Sequence, residues 1–350
     1  MMAFVRNTWY AAAWSEEVNR SLFSRKLLNE QVLMYRKEDG TPCAIRDLCP
    51  HRFAPLSIGK LIGDEVECLY HGLRFDCSGK CVDNPNGAGS IPKAASVKSY
   101  PLSEQYGVVW IWMGDPEKAD ESLVPAFPWL SDSENYTQVH GTLNIEANYL
   151  LVMDNLTDLS HAAFIHVETL EPRELAKATF EVVEEGPEVW TKQWCAAMTV
   201  PPLFTVVKGF TGQMDHWLEM RCIPRSTSMI TFYGVTEVGK SRAEGYGTYN
   251  PNIITPETDT TTHYFWGSAR DFDLKDEEMS EKFRMGASFA FTHEDKPIIE
   301  AQQRNVGDVD MMSLKPVLLT NDAGSVRARR AIDRLIAEEQ EQAANLIAVG

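Results

Sequence analysis

Two short segments pair a thiol with an imidazole: Cys49-Pro-His51 and Cys68-Leu-Tyr-His71. Two cysteines and two histidines make a candidate metal quartet, and Cys2His2 is a common zinc ligand set. Zinc fingers, however, usually place Cys with Cys and His with His, whereas each half here is one Cys and one His. That mixed pairing suits a [2Fe–2S] cluster in which two thiolates hold one iron and two imidazoles the other. Neutral imidazoles in place of anionic thiolates raise the reduction potential, so such a centre accepts electrons and passes them on.

A second constellation lies about a hundred residues later. Asn155, Asp158 and His161 follow one another at intervals of three and share one face if their segment is helical. His166 is five residues beyond His161, about 140° around an ideal helix, so both rings reach one metal only if the helix widens or ends between them. A single-turn π-bulge would do this. Asp295, in "THEDKPIIEAQ", is the candidate third ligand, because Pro297 predicts a kink that turns its carboxylate inward. Two histidines and one carboxylate form the facial triad of non-haem Fe(II) oxygenases, which leaves positions open for O2 and substrate. An Asp-x-x-His pair alone is more often a surface arrangement; an electron-storing centre earlier in the chain gives this one a purpose.

These groups need scaffolds. Through about residue 115, short β-type runs alternate with turn residues: "QVLMYR" and "PCAIRD" flank "KEDGT", and "VECLYH" and "LRFD" lead to "CSGK". Each thiol–imidazole pair therefore sits in a loop between strands. "VVWIWMGDP" reads as a buried strand with a Gly-Asp-Pro stop, and the acidic "EKADESLVP" as a linker. The expected domains are residues 1–120 and 121–350. In the second, "NYLLVMDNLTDLSHAAF" predicts a helix of about four turns. "TFEVVEE", "VWTKQWCAAMTV", "WLEMRCIP", "SMITFYGVTEV" and "TTTHYFWGSAR" predict strands of one curved antiparallel sheet. Helices are expected over 276–305, interrupted at Pro297, and over 325–347, with Val326, Ile332, Leu335, Ile336, Leu346 and Ile347 as its apolar stripe.

The chain has 350 residues, 44% hydrophobic and 24% charged, the profile of a globular protein with two cores. No stretch approaches the ~18 apolar residues of a membrane span, and no signal peptide is recognisable, so a cytoplasmic, non-membrane chain is expected. A net charge of −17 speaks against a nucleic-acid partner. Seven cysteines without a secretory signal suggest reduced thiols plus a metal site, with no role for Cys43, Cys77, Cys81, Cys195 or Cys222.

Over nearly its whole length the chain resembles the Rieske non-haem iron oxygenases, on their vanillate O-demethylase and dicamba monooxygenase branch. The resemblance rests on "FVRNTWYAAAW", "LCPHRFAPLS", "CLYHGLRFD", "WIWMGDP", "MDNLTDLSHAAFIH", "IITPETDTTTHYFWGSARDF" and "EDKPIIEAQQ". It implies an α+β chain: an all-β Rieske domain, then a helix-grip (START-like) catalytic domain, assembled as a head-to-tail homotrimer. By position, Cys49, His51, Cys68 and His71 would hold the [2Fe–2S] cluster, and His161, His166 and Asp295 the mononuclear Fe(II). Asp158 would bridge a cluster His of one subunit to an iron His of its neighbour. One turn before His161, it can accept that ring's other N–H. Asn155 would support the iron site. NAD(P)H would act only through a separate flavin and iron–sulfur reductase or a ferredoxin, since the chain has no nucleotide-binding motif.

The implied reaction is oxidative O-demethylation of a small aromatic methyl ether with O2. N-dealkylation of an aromatic amide or amine, or hydroxylation of an aromatic methyl group or ring, stands beside it. Thr231, Asn252 and Gly286 are the expected pocket residues. "AAMTVPPLFTVV" and "SMITFYGV" make that pocket apolar, and Lys208, Arg221 and Arg242 are the cations available to a carboxylate substrate. His140, His216, His263 and His293 read as structural or exposed. An electron carrier would leave His161, His166 and Asp295 idle; a zinc-stabilised binding protein would be colourless.

Overall fold

The computed structural model describes residues 3–349, with side chains through residue 345, so Leu346 and Ile347 of the expected stripe lie outside the described side chains. The chain divides into two compact units, Arg6–Val124 and Pro125–Gly350, the latter including Met1–Val5. Among the described residues no helix is long and apolar enough to cross a membrane.

The smaller unit is built of three antiparallel sheets. β1 (Trp9–Trp14) pairs with β10 (Val108–Trp112), which pairs with β9 (Leu102–Gln105). β10 is buried at all five positions, as an unbroken apolar run without alternation requires. β2 (Phe23–Leu27), β3 (Glu30–Arg36) and β4 (Pro42–Arg46) form the second sheet. The third comprises the short strands β5 (Lys60–Ile62), β6 (Glu65–Glu67), β7 (Arg74–Phe75) and β8 (Cys81–Asp83). Leu33, Tyr35, Ile45, Leu56, Val66 and Phe75 form one core that includes Cys49 and Cys68.

That core also corrects the cysteine reading. Cys43 on β4 and Cys77 after β7 form a disulfide with Cα atoms 5.7 Å apart. A separation of 34 residues hides this proximity from the sequence; only the meeting of two sheets creates it. Cys81, Cys195 and Cys222 are buried free thiols. Closing a loop of that length restricts the unfolded chain by about 4 kcal/mol in the entropy model. Urea unfolding of the double variant Cys43→Ala/Cys77→Ala, followed through this unit, should show a loss of about that size.

The larger unit carries one seven-stranded antiparallel sheet in the order β11-β17-β16-β15-β14-β13-β12. Its strands are β11 (Thr137–Ile145), β12 (Glu181–Glu185), β13 (Glu188–Thr199), β14 (Gln213–Ile223), β15 (Ser228–Thr236), β16 (Tyr246–Pro256) and β17 (Thr262–Arg270). β16 is not among the strands expected from the sequence, and it carries Pro251, a residue that central strands seldom accept. The sheet admits it because the ladder to β17 is interrupted at Asn250 and Pro251.

The helices are α1 (Tyr149–Thr157), α2 (Ala162–Ile165), α3 (Pro202–Lys208), α4 (Glu277–Phe289), α5 (Lys296–Val306) and α6 (Ala323–Val349). α1, α4, α5 and α6 lie against the sheet, the α+β arrangement that the resemblance implies. The expected four-turn helix is two: α1 stops at Asp158, whose carboxylate accepts the Ser160 N–H at 3.0 Å and the Ser160 hydroxyl at 2.6 Å. An Asp whose side chain captures the backbone two residues on competes with the helix, and here it wins.

Candidate metal centres

The two thiol–imidazole loops of the smaller unit fold alike. Cys49 N–H donates to the Ala54 carbonyl at 2.8 Å and Phe53 N–H returns to the Cys49 carbonyl at 2.9 Å. Cys68 N–H donates to the Leu73 carbonyl at 2.8 Å, and Gly72 N–H returns to Cys68 at 2.9 Å. The fifth residue of each closed turn is left-handed, Phe53 at φ 59° and Gly72 at φ 76°. At Gly72 a Cβ would also lie 2.7 Å from Pro85 Cγ, so side chains are excluded twice.

These turns bury Cys49 and Cys68 and place His51 and His71 further out, with ring centroids 4.4 Å apart. Burial pushes the Cys49 thiol up to about 11, and the neighbouring Cys68 adds to the rise. Metal binding must therefore displace a proton from it. Inner thiols and outer imidazoles fit a cluster with one sulfur-ligated and one nitrogen-ligated iron.

In the larger unit, the break at Asp158 starts a short 3-10 turn, Leu159–His161, and α2 then ends at His166. The two histidines thus flank α2. Their ring centroids are 5.2 Å apart. Asn155, Asp158 and His161 do not share one helical face, because the helix ends at the middle one. The His161 ring nitrogen Nδ1 donates to the backbone carbonyl of Asp158, and Oδ1 of the Asp158 carboxylate accepts from Ser160. The expected side-chain bond between Asp158 and His161 is thereby replaced by a main-chain one.

The widened turn lies in the other half of the site. A six-residue π-helical segment, Ala290–Asp295, joins α4 to α5, and Pro297 stands in the first turn of α5, where a missing N–H is tolerated. Asp295 ends this segment buried, with Oδ1 3.5 Å from His161 Nε2 and Oδ2 3.4 Å from His166 Nε2. One donor atom from each of these residues lies within 4.8 Å of the other two. Burial works to raise the Asp295 carboxyl, but hydrogen bonds and charge from His161 and His166 hold it well below the usual carboxylate range. Asn155 Nδ2 donates to Asp295 Oδ1 at 3.0 Å and fixes the carboxylate from the α1 side.

Glu294 was not foreseen. Its Oε2 lies 2.8 Å from His166 Nδ1 and accepts the Thr169 hydroxyl at 2.7 Å. A carboxylate on the far nitrogen fixes the ring's tautomer and directs Nε2 toward Asp295. Its position beside Asp295 is the only sequence signal, and on a regular helix adjacent residues point about 100° apart.

His161, His166 and Asp295 line one mostly apolar cavity, together with Leu156, Leu218, Met220, Phe283 and Phe291. Its empty space is about 860 Å³ with the open mouth included, enough for a substituted aromatic ring. Thr231 and Asn252 line it, joined by a 3.0 Å bond from Asn252 Nδ2 to the Thr231 hydroxyl. Gly286 departs from expectation: Phe283 and Ala287 face the cavity from α4, and Gly286 is not among the lining residues. Lys208 pairs with Asp273, Arg221 with Glu188 and Arg242 with Glu219, and none of the three cations lines the cavity.

Both units match known families: residues 8–101 the Rieske [2Fe-2S] domain, and residues 145–338 the vanillate O-demethylase oxygenase C-terminal domain. The chain is 37% identical to the oxygenase component of chloroacetanilide N-alkylformylase from Rhizorhabdus wittichii, over 96% of its own length and 97% of the relative's. It is 39% identical to the iron–sulfur subunit of the toluene-4-sulfonate monooxygenase system of Comamonas testosteroni, over 96% and 98%. Dicamba monooxygenase bound to 3,6-dichlorosalicylic acid superposes with a TM-score of 0.92 at 35% identity, covering 97% of this chain and 99% of that one. With a family model matching each unit and relatives covered almost end to end, the chain belongs to the Rieske non-haem iron oxygenases, among the oxygenase components of the vanillate O-demethylase branch.

Proposed function

We propose that this oxygenase component removes the methyl group of an aromatic methyl ether, with a reductase or ferredoxin as electron donor. The observation that carries the reading is that His161, His166 and Asp295 line the same apolar cavity, so a bound arene lies against the iron ligands. When bound, the [2Fe–2S] cluster and the mononuclear iron would supply electron transfer and O2 activation; with two electrons and two protons from the reductase side, one oxygen atom would enter a methyl C–H bond and the other leave as water, and the hemiacetal so formed would release formaldehyde and the phenol. Cys49, Cys68, His51 and His71 hold the cluster; His161, His166 and Asp295 hold the iron. The apolar walls orient the ring and keep water from it, while Asn155 and Glu294 keep the ligands in register. Asp158 joins the two kinds of centre across neighbouring copies of the chain in a head-to-tail trimer; its main-chain bond to His161 supports that role. N-dealkylation is the second reading, favoured by the likeness to the chloroacetanilide enzyme.

A screen of methoxy-, N-alkyl- and methyl-arenes for formaldehyde release, with reductase supplied, tests the proposal. Release from the ethers supports it, release from N-methyl arenes alone favours the second reading, and release from none moves the assignment to ring or methyl hydroxylation. Glu294→Gln should weaken iron binding by about 10–100-fold, the usual cost of losing such an outer partner, read by iron titration of the apoprotein.

A further inference from the structure

The polar side chains of the cavity wall spend most of their donor hydrogens on one another and on the backbone, which leaves mainly acceptors for a ligand. Asn252 Nδ2 spends its hydrogens on the Thr231 hydroxyl at 3.0 Å and the Asn250 carbonyl at 2.9 Å. Asn250 Nδ2 spends its own on the Thr231 carbonyl at 3.1 Å and the Thr248 hydroxyl at 2.9 Å. The Thr248 hydroxyl in turn donates to the Tyr233 carbonyl at 3.4 Å. The Tyr233 hydroxyl donates to the Leu170 carbonyl at 2.7 Å and the Thr231 hydroxyl to the Met220 sulfur at 3.7 Å, which leaves Ser268 able to turn either way. Among the described residues, no Lys or Arg lines the cavity.

Apart from the iron ligand Asp295, one carboxylate residue lines it. Glu171 is 1% exposed, and its Oε1 lies 3.0 Å from His216 Nε2, while its Oε2 has no hydrogen-bond partner. His216 Nδ1 faces the Gly234 carbonyl at 2.8 Å, an acceptor only, so Nδ1 carries a hydrogen. The Nε2 contact engages Oε1 and leaves Oε2 as the acceptor oxygen without a partner. A buried acceptor left unmatched costs about 1–3 kcal/mol, so a ligand that donates to it gains what an apolar analogue does not. An anion gains nothing there, since carboxylates and sulfonates are held by clustered donors, typically an Arg fork.

We infer that Glu171 sets the specificity of this cavity, and that the substrate is an uncharged arene carrying an O–H or N–H donor, such as a methoxyphenol, rather than an aromatic carboxylate or sulfonate. The inference rests on the reading of this cavity as the oxygenase site. It separates the chain from its relative named for toluene-4-sulfonate, an anion. The sequence carries little sign of it: His216 and Glu171 stand 45 residues apart, joined only by the fold.

Calorimetric titration of the iron-loaded protein with guaiacol, anisole and vanillate tests the inference, since these share the methoxy-arene and differ in the donor and the carboxylate. Wild-type protein should bind guaiacol about tenfold or more tighter than either of the others, the scale of one buried hydrogen bond. That comparison needs no variant. Glu171→Leu removes the acceptor, so the guaiacol-over-vanillate ratio should fall by about tenfold while anisole changes little. Vanillate binding as tightly as guaiacol in the wild type, or a folded Glu171→Leu protein with an unchanged ratio, overturns the inference. Tight guaiacol binding without formaldehyde release would instead sink the demethylase reading and support the selectivity.

Discussion

His161→Ala should lower reductase-supported turnover by more than about a thousandfold, beyond the ~10–100-fold expected for an outer partner, and leave the visible absorbance of the cluster unchanged. The separation of the two readouts follows from the fold. His161 belongs to the larger unit, and the four cluster ligands to the smaller one. Within the larger unit nothing replaces the lost ring: among the described residues the triad is the only set of three acidic, thiol or imidazole side chains grouped to hold a metal. Asp295 would keep His166 and Asn155 as neighbours, so the carboxylate stays in place while the ligand set falls to two. Two ligands lack the facial geometry that holds iron and leaves adjacent positions open. Loss of iron with full cluster absorbance is the expected signature; turnover within tenfold of the wild type would remove the triad from the chemistry.

The ligand types were legible in the sequence because metal chemistry is local in kind: Cys-x-His, Cys-x-x-His and His-x4-His declare donor atoms whatever the fold around them. Their positioning was less legible. The π-widening expected between His161 and His166 occurs instead at Ala290–Asp295, and the two histidines converge because α1 has already ended at Asp158. The Asp158–Ser160 turn that ends it is a polar competitor inside an apolar helical pattern, and periodicity weighs it too lightly. The strand that carries Pro251 was not read from the sequence either. Residues whose role depends on a remote partner stayed invisible: Glu294 acts on a histidine 128 positions earlier, and Glu171 on one reached only through the sheet.

The same dependence on remote partners makes Arg329 the second large effect. This residue of α6 is buried, and its guanidinium grips Asp154 of α1, with Nε 2.9 Å from both carboxylate oxygens and Nη2 2.6 Å from Oδ2. Nη1 reaches Asp310 at 3.0 Å. Asp154 is the residue before Asn155, so the pair ties α6 to the helix that supports Asp295 and delivers His161. Burial pushes the Asp154 carboxyl above its ordinary value, with Arg329 opposing the rise. Arg329→Ala therefore leaves a part-buried carboxylate, 18% exposed, without its partner and should cost the larger unit about 2–3 kcal/mol at neutral pH, below the full penalty of a buried pair. Because the folded state then binds the Asp154 proton more tightly than the unfolded chain does, the deficit should shrink as pH falls toward the ordinary carboxylate range and grow as pH rises above it. The double variant Asp154→Leu/Arg329→Met removes the charge with its partner and should recover most of the stability, as apolar replacement of buried ion pairs commonly does. Denaturant unfolding of the three proteins across pH checks both statements. A deficit in Arg329→Ala that is flat with pH would mean that lost packing of the long side chain, and not the stranded carboxylate, is what α6 contributes to the site.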